Sequence, residues 1–499
     1  MLKNKCILCL GNNTEDTDQL TSVLSGSAGV TNYGIISELD GIDVDVFAPE
    51  AGYYHTSYYD IQFGNLVRLL DKFDEIVILD QPIESYPDEH GFFQTISAGK
   101  QVSKTKTVIF QNKTYEHTLE DVVKENKSFC ILPFIQSVPI NGKNQPCCHS
   151  TVEISKFDPT IPYLKDQGRN QLKEKMLIGE KSDKHCSVCY KAEDKNIISH
   201  RIRSTTEWAN RLNIYSLEEL KLIQEPVFYE VRASNECNIM CRSCSPENSS
   251  LIKTENKKTK IFHIDQYAYT GYQHINIDKI EKLYVAGGEP TISVDLNQFL
   301  LKCISKGKTG FEIQLNTNAV NLSTEFKSLI KHFSNVTFEI SIDGYEKVNQ
   351  YVRWPTKWNK LINNIDYLYK QKYRISFNSV VSIYTITSLY DLINFLSIRY
   401  KNVTHHLTEA IFKNDILSPY NYPVRETVVD TLSKIKQLDI YRNNLRINGQ
   451  INNYYTQYTD SSQIDLAKLK KFFEYNDRLD QSRNVRLTDY IPELEACQN

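Results

Sequence analysis

The chain of 499 residues is 40% hydrophobic and 24% charged, with a formal net charge of −3; this is the make-up of a globular protein with room for several domains. No global basic field advertises nucleic acid or an anionic membrane, and apolar runs such as Cys6 to Leu10 and Ile76 to Leu79 are far too short to span a bilayer. The first of these runs passes straight into the polar Gly11-Asn12-Asn13-Thr14, without the small-residue cleavage site of a secretory signal, so a cytoplasmic location is expected, where thiols stay reduced.

Residues 1–115 alternate strand-like and helix-like text and read as a small α/β domain of undefined role. Cys6 to Leu10, Ile42 to Phe47 and Glu75 to Leu79 suggest strands of a parallel sheet, and Leu66 to Lys72 has helical spacing. No phosphate loop or nucleotide fingerprint is present there, and Gly11-Asn12-Asn13 reads as a polar turn. Residues 116–205 read as a second unit. Phe129 to Ile140 suggests a strand, Asn141-Gly142 a hairpin turn and Gln145 to Ile154 its partner, followed by a helix over Arg169 to Ile178.

From Pro226 to about residue 440 the rhythm changes to alternating strands and helices, which predicts a parallel sheet or barrel. Strands are expected at Val227–Ala233, Lys282–Val285, Glu312–Asn316, Val336–Ile342, Arg374–Val381 and Val403–Glu409. Helices are expected at Val294–Ile304, Glu325–Phe333, Trp358–Lys370, Leu389–Arg399 and Glu426–Leu438. Six strands fit a partial (β/α)6 TIM-like barrel, since a full eight-unit barrel takes about 250 residues. The lysine-rich run between Lys253 and Lys260 reads as a solvated loop, and residues 441–499 as a polar, irregular extension. The fold class expected is thus α/β, a partial barrel preceded by a hairpin-helix unit and an N-terminal α/β domain.

The 12 cysteines are clustered, which in a reducing compartment points to metal sites before disulfides. Cys237, Cys241 and Cys244 fall within eight residues. Three thiolates on a short loop hold three corners of an iron–sulfur cube, and the fourth iron is left for another ligand. Random placement gives this spacing in about 0.7% of such chains, so the rival is a zinc site rather than chance. The triplet follows the first barrel strand, at the end where barrel enzymes carry their chemistry. The second strand ends in Gly287-Gly288-Glu289-Pro290, whose glycines let backbone approach a ligand and whose Glu289 offers an acceptor for an ammonium group. The third ends in Asn316-Thr317-Asn318 and the fourth in Ser341-Ile342-Asp343-Gly344, short polar side chains suited to ribose hydroxyls. Arg353 follows, able to fork onto a carboxylate.

At these residues the sequence resembles the radical S-adenosylmethionine (SAM) superfamily, over Pro226 to about Leu438. The resemblance rests on Cys-x3-Cys-x2-Cys, the Gly-Gly-Glu-Pro motif and the Ser-x-Asp-Gly strand end. It implies an oxidoreductase whose [4Fe–4S] cluster donates an electron to SAM, splitting it to methionine and a 5′-deoxyadenosyl radical that removes a hydrogen atom from an unreactive C–H bond. It implies roles for Glu289 at the SAM amino group, for Ser341, Asp343 and Arg353 at its ribose and carboxylate, and for Val380–Ser382 at its adenine. Where many members carry an aromatic residue before the third cysteine, this chain has Ser243.

A second set comprises Cys130, Cys147, Cys186 and Cys189, with Cys148 as an alternative to Cys147. On spacing alone, two cysteines across a hairpin and two on a tight loop suit zinc or iron–sulfur equally. The pattern Cys-x(9–15)-Gly-x4-Cys followed by Cys-x2-Cys resembles the auxiliary-cluster signature of twitch/SPASM domains, in the shorter twitch form, which implies an auxiliary [4Fe–4S] cluster. Such units usually follow the barrel, and here the unit precedes it. The resemblance also implies a peptide or protein substrate, with a small molecule as the alternative, and a reductant such as flavodoxin or ferredoxin. Without SAM turnover, the alternative is a non-catalytic zinc or iron–sulfur protein. Cys6 and Cys9 on a strand, Cys303 on a helix and Cys497 read as plain thiols.

Overall fold

The computed structural model describes residues 126–497 apart from 151, 195–198, 213, 215–219, 221–222, 402, 411–414 and 461–464, together with the strands of one sheet in the first 125 residues. The chain divides into two units. One comprises Met1–Ile131 with Lys195–Leu222, and the other Leu132–Asp194 with Ile223–Asn499.

Among the described residues the first unit holds seven strands: β1 (Lys5–Leu10), β2 (Ile35–Ser37), β3 (Asp43–Ala48), β4 (Gly52–Ser57), β5 (Glu75–Asp80), β6 (Thr107–Phe110) and β7 (Lys113–Thr114). Their order is β4-β3-β2-β1-β5-β6-β7. The centre is parallel, as the apolar runs suggest. The strand read at Ile42 to Phe47 departs from that expectation: as β3 it pairs antiparallel with both β2 and β4. The helix expected at Leu66 to Lys72, the turn at Gly11-Asn12-Asn13 and the side chains of Cys6, Cys9 and Cys497 lie outside the described residues. A helix at His200–Arg211 belongs to the same unit. It is tied down by Arg201 donating to the Phe129 carbonyl at 2.7 Å and by Thr205 Oγ1 accepting from Ile131 N at 3.2 Å.

The second unit is built on a sheet that begins with β8 (Gln136–Ile140), β9 (Lys143–Gln145) and β10 (Ser155–Lys156). Asn141 and Gly142 have φ of 51° and 67°, the left-handed pair that a tight hairpin turn requires. The hairpin is shorter than expected, because Leu132–Ile135 is a buried helical turn and not strand. Beyond it, a helix spans Gln167–Leu177, capped by Asp166 accepting from Arg169 N. A further helix at Asp183–Glu193 carries Cys186 and Cys189, which therefore do not sit on a loop.

The barrel strands are β11 (Phe228–Val231), β13 (Lys282–Val285), β14 (Glu312–Thr317), β15 (Val336–Ser341), β17 (Arg374–Val381) and β18 (Thr404–Glu409). They lie in that order, all parallel. Alternation places one face of each strand against helices. Leu283, Val285, Ile313, Leu315, Phe338 and Ile340 pack with Leu296, Leu300, Phe326, Leu361 and Leu396 in one core. Helices at Val294–Ser305 and Thr324–Ile330 begin where Ser293 and Ser323 accept from the backbone N–H three residues on. The hairpin segment is joined to this barrel, since β8 pairs parallel with β11 and extends the sheet by one strand. Residues 132–194 thus pack with the barrel, while 126–131 and 195–205 belong to the first unit.

Two expectations are corrected. The run around Lys253 to Lys260 is helical over Ser250–Thr259, capped by Ser249, with Ile252, Glu255 and Asn256 buried; its lysines occupy the outer face. Beyond 440 the chain is not irregular: helices span Leu445–Asp460 and Leu466–Arg483. Their Ile447, Ile451, Tyr454, Tyr458, Phe472 and Leu479 build a second core with Leu407, Val428 and Leu432. The apolar stripe is carried largely by aromatic residues among Asn, Gln and Lys, which masks it in a polarity count.

The last long helix reaches the cysteine loop. Arg242, 0% exposed, pairs with Asp480 and donates to Asn476 Oδ1 at 3.0 Å and to the Tyr351 carbonyl at 3.1 Å. Its guanidinium lies 3.6 Å from the Tyr351 ring centroid, and Tyr475 donates its hydroxyl to the Arg242 carbonyl at 2.5 Å. Nearby, Arg483 makes a bidentate pair with Glu255 at 2.8 and 2.7 Å. Removing one partner of a buried ion pair leaves an uncompensated charge and costs about 3–5 kcal/mol. Asp480→Ala is therefore expected to lower stability by that amount, read as a shift of the urea midpoint of the unit; an unshifted midpoint would refute the role of the pair.

Candidate functional site

The carboxyl ends of the barrel strands converge on the loop that carries Cys237, Cys241 and Cys244, all three free thiols. The loop is fixed from several sides. β12 (Met240–Cys241) pairs antiparallel with β16 (Arg353–Trp354), setting Cys241 opposite Arg353. Arg242 N donates to the Val352 carbonyl at 2.8 Å, and Ser249 Oγ to the Ile239 carbonyl at 3.0 Å. The thiols lie close enough to raise one another's pKa. Burial is the larger cause, pushing Cys237 up to about 12 and Cys241 and Cys244 upward as well. A buried group of thiols is stable as thiolates only beside positive charge. Arg353, facing Cys241 and Cys237, supplies part of it.

The Gly-Gly-Glu-Pro turn packs directly on this loop. Gly287 and Gly288 have φ of 77° and 56°, and a Cβ on Gly288 would meet the Glu236 carbonyl oxygen at 2.4 Å. Glu289 N donates to that same carbonyl at 2.7 Å. The Glu289 carboxylate is 2% exposed. Its Oε1 accepts from Thr291 Oγ1 at 2.6 Å, Thr317 Oγ1 at 2.5 Å and Thr291 N at 3.1 Å, and its Oε2 accepts from Asn318 N at 2.7 Å. Oε2 thus keeps one acceptor direction open. Burial pushes the carboxyl's pKa up, and these bonds oppose it. Pro290 starts a short 3-10 turn for which Glu289 is the cap. Asn318 closes the link by donating to Asn238 Oδ1 at 2.8 Å, with Cys237 Sγ at 3.9 Å.

On the neighbouring strands, Ser341 donates to Asn316 Oδ1 at 3.1 Å. Asp343, 1% exposed, accepts from Arg353 at 2.8 Å and from Val380 N at 2.9 Å. Asp343 and Arg353 are therefore already each other's partners. Val380 and Ser382 also spend polar groups internally: Val380 N on Asp343, and Ser382 N on Thr385 Oγ1 at 2.9 Å. Every candidate among Gly287, Gly288, Glu289, Pro290, Asn316, Asn318, Ser341, Asp343 and Arg353 stands at or beside the carboxyl ends of the strands that face the cysteine loop.

The second cysteine set is divided. Cys147, Cys186 and Cys189 belong to the unit that holds the barrel, and Cys130 to the other unit. Cys130 precedes the helical turn at Leu132–Ile135 and so stands outside the hairpin on which it was expected. Cys147 and Cys189 interact electrostatically, with Glu230 also nearby, and burial pushes the Cys147 thiol up to about 11. Cys148 feels Glu230 and Cys147 as well. Glu230 is 2% exposed and is held by Arg232 at 2.9 Å. Cys303 is a buried thiol of the barrel core, as its helical setting suggests. A cleft lined by Asp158, Tyr163, Asp166, Arg169 and His274 contains none of the candidate residues.

Sequence reading missed Arg242, Tyr351, Asn476 and Asp480, which anchor the cysteine loop from chain positions more than 100 residues apart. Only the position of Arg242 between two ligand-type cysteines hinted at it. Glu230 and Arg232 were missed too. Their alternation along β11 was the available signal.

Residues 231–396 match the sequence profile of the Radical SAM superfamily. No match to a curated protein was found. Among solved structures, the chain is similar to Streptococcus suis SuiB bound to precursor peptide SuiA, at 14% identity and a TM-score of 0.28 over 66% of this chain and 64% of that one. It is also similar to anSMEcpe with bound AdoMet, at 15% identity and a TM-score of 0.33 over 44% of this chain and 59% of that one. The chain thus spans less than two thirds of the length of either. No helix among the described residues is long and apolar enough to cross a membrane. The matched residues take in the three-cysteine loop and strands β13, β14, β15 and β17, so it is this part of the barrel that is similar to the Radical SAM superfamily.

Proposed function

We propose that this chain is a radical SAM enzyme that holds a [4Fe–4S] cluster on Cys237, Cys241 and Cys244 and oxidises or crosslinks a side chain of a peptide or protein. The observation that carries the reading is the donor set itself. Three part-buried thiols share one loop, Arg353 faces two of them, and Glu289 and Asn318 stand beside the first. That set fits an anionic cluster with one iron left for a chelating ligand. Bound there, the cluster and SAM supply one-electron reductive cleavage and the hydrogen-atom abstraction that follows from it.

The protein's own part is placement and charge. Glu289 directs its open Oε2 direction at the SAM ammonium, and the Thr291, Thr317 and Asn318 bonds keep the carboxylate from rotating away. Gly287 and Gly288 bring backbone close enough for contact with the ligand. Ser341 and Asn316 offer hydroxyl and amide groups to the ribose. Asp343 orients Arg353, whose remaining donors serve the carboxylate and offset the thiolate charge. For an auxiliary [4Fe–4S] cluster on Cys130, Cys147, Cys186 and Cys189, the twitch-like reading, the support is the shared buried surroundings of Cys147 and Cys189. A reductant of the flavodoxin or ferredoxin type and a cytoplasmic location complete the proposal.

Anaerobic iron and sulfide analysis, with 5′-deoxyadenosine assayed after addition of SAM and dithionite, tests it. Replacing Cys237, Cys241 and Cys244 together by Ala is expected to abolish 5′-deoxyadenosine and remove about half the iron; full cleavage in that variant sinks the assignment. Cys186→Ala with Cys189→Ala should remove the remaining iron and leave some cleavage, and zinc in place of iron at that site would refute the auxiliary cluster. Gly288→Ala forces a Cβ onto the Glu236 carbonyl and is expected to cut cleavage about tenfold or more through displacement of the cysteine loop. Cleavage at the wild-type rate would show that the close approach is not needed.

A further inference from the structure

A closed barrel fills its interior with branched apolar side chains, but here the inward positions of four neighbouring strands are polar. They are Tyr284 on β13, Gln314 and Asn316 on β14, Glu339 and Ser341 on β15, and Asn378 on β17. All six are only part-buried, while Leu283, Ile313, Leu315, Phe338, Ile340 and Phe377, which alternate with them, are buried against the helices. The inner face is therefore built to meet a polar ligand and not to pack on itself.

Most charges on this face are paired. Lys282 lies 2.9 Å from Glu312, Arg232 lies 2.9 Å from Glu230, and Arg353 lies 2.8 Å from Asp343. Among the described residues Glu339 has no cation within ion-pair distance. Its Oε1 accepts from Gln314 Nε2 at 2.6 Å and its Oε2 from the Tyr284 hydroxyl at 3.2 Å, with Asn378 also in hydrogen-bonding reach. All three donors are neutral. The network runs on from Tyr284 to Asn316 at 3.5 Å and from Asn316 to Ser341 at 3.1 Å. Glu339 stands two residues below Ser341 on the same face, about 6.6 Å deeper in the barrel. Burial pushes its carboxyl's pKa up, opposed by these hydrogen bonds and by the charge of Lys282, whose ion pair is with Glu312.

We propose that Glu339, its oxygens oriented by Gln314 and Tyr284, receives an alkylammonium or guanidinium group of the substrate on the inner barrel face, directly below the residues assigned to SAM. This deepens the proposed function and rests on it for the position of SAM. A carboxylate already desolvated and oriented by neutral donors gains most from a partner that brings both charge and N–H groups.

The test uses anaerobically reconstituted holoenzyme with SAM, titrated calorimetrically with acetyl-Gly-Lys-Gly-amide, n-pentylamine and acetyl-Gly-norleucine-Gly-amide, which lacks only the ammonium. Both ammonium probes are expected to bind and the norleucine probe not to. Glu339→Gln should weaken the ammonium probes about tenfold or more. Tighter binding of the lysine tripeptide than of pentylamine supports the inference with a peptide as the source of the group, and equal binding supports it with a small amine as the source. Equal binding of the lysine and norleucine probes, no binding of any ammonium probe, or unchanged affinity in Glu339→Gln overturns it. The 5′-deoxyadenosine yield of the same preparation reports on the underlying reading by itself: cleavage without ammonium discrimination fails the present inference alone, and discrimination without cleavage fails the other alone.

Discussion

A guanidinium placed between two thiols of the candidate cluster loop must find its counter-charge inside the protein, because the Arg242 side chain is fully buried. Arg242 meets that demand with Asp480, Asn476 and the ring and carbonyl of Tyr351. The consequence is architectural. The helix Leu466–Arg483 cannot be trimmed as an appendage, since its inner face neutralises the residue between Cys241 and Cys244, and its Tyr475 holds the Arg242 carbonyl. Glu255 and Arg483 repeat the device at the end of the same helix. Two buried pairs thus tie the helix Leu466–Arg483 to the cysteine loop and to the helix Ser250–Thr259 that follows it.

The barrel solves a second problem by alternation. Period-two strands give each residue pair one apolar and one polar member. The apolar members close the core against the helices, and the polar members face inward. Charges that face inward are matched in pairs across or along strands: Lys282 with Glu312, Glu230 with Arg232, Asp343 with Arg353. This pairing is what allows so polar an interior to persist. It also makes Glu289 and Glu339, which among the described residues have no cation within ion-pair distance, stand out as the places where ligand charge changes the balance.

The parallel sheet was legible from the sequence because its strands are short apolar runs bounded by polar turns, at a spacing fixed by the intervening helices. Lys282–Val285, Arg374–Val381, Trp358–Lys370 and Leu389–Arg399 fall where periodicity puts them. The strand-end placement of the candidate site was legible to the same extent, since Cys237 to Cys244, Gly287 to Pro290 and Ser341 to Asp343 are local strings at strand ends. Non-local features were not legible. Helix 250–259 looks like a solvated lysine run because the partner that buries Glu255, Arg483, lies 228 positions away. The C-terminal helices hide their apolar stripe in tyrosines, which count as half polar in any window. The Asp343–Arg353 pair shows the same limit: each residue was readable as a ligand contact, but not that each already holds the other.

The position of the second cysteine set follows from strand pairing and not from chain order. β8 adds to the edge of the barrel sheet by pairing parallel with β11, so the segment that carries Cys147, Cys186 and Cys189 is part of the barrel's own unit although it precedes the barrel in sequence. Cys147 and Cys148 then share surroundings with Glu230, a residue of the strand that leads into the loop of Cys237. Strand β11 thus carries Glu230 beside Cys147 and Cys148 and then runs directly into the loop of Cys237.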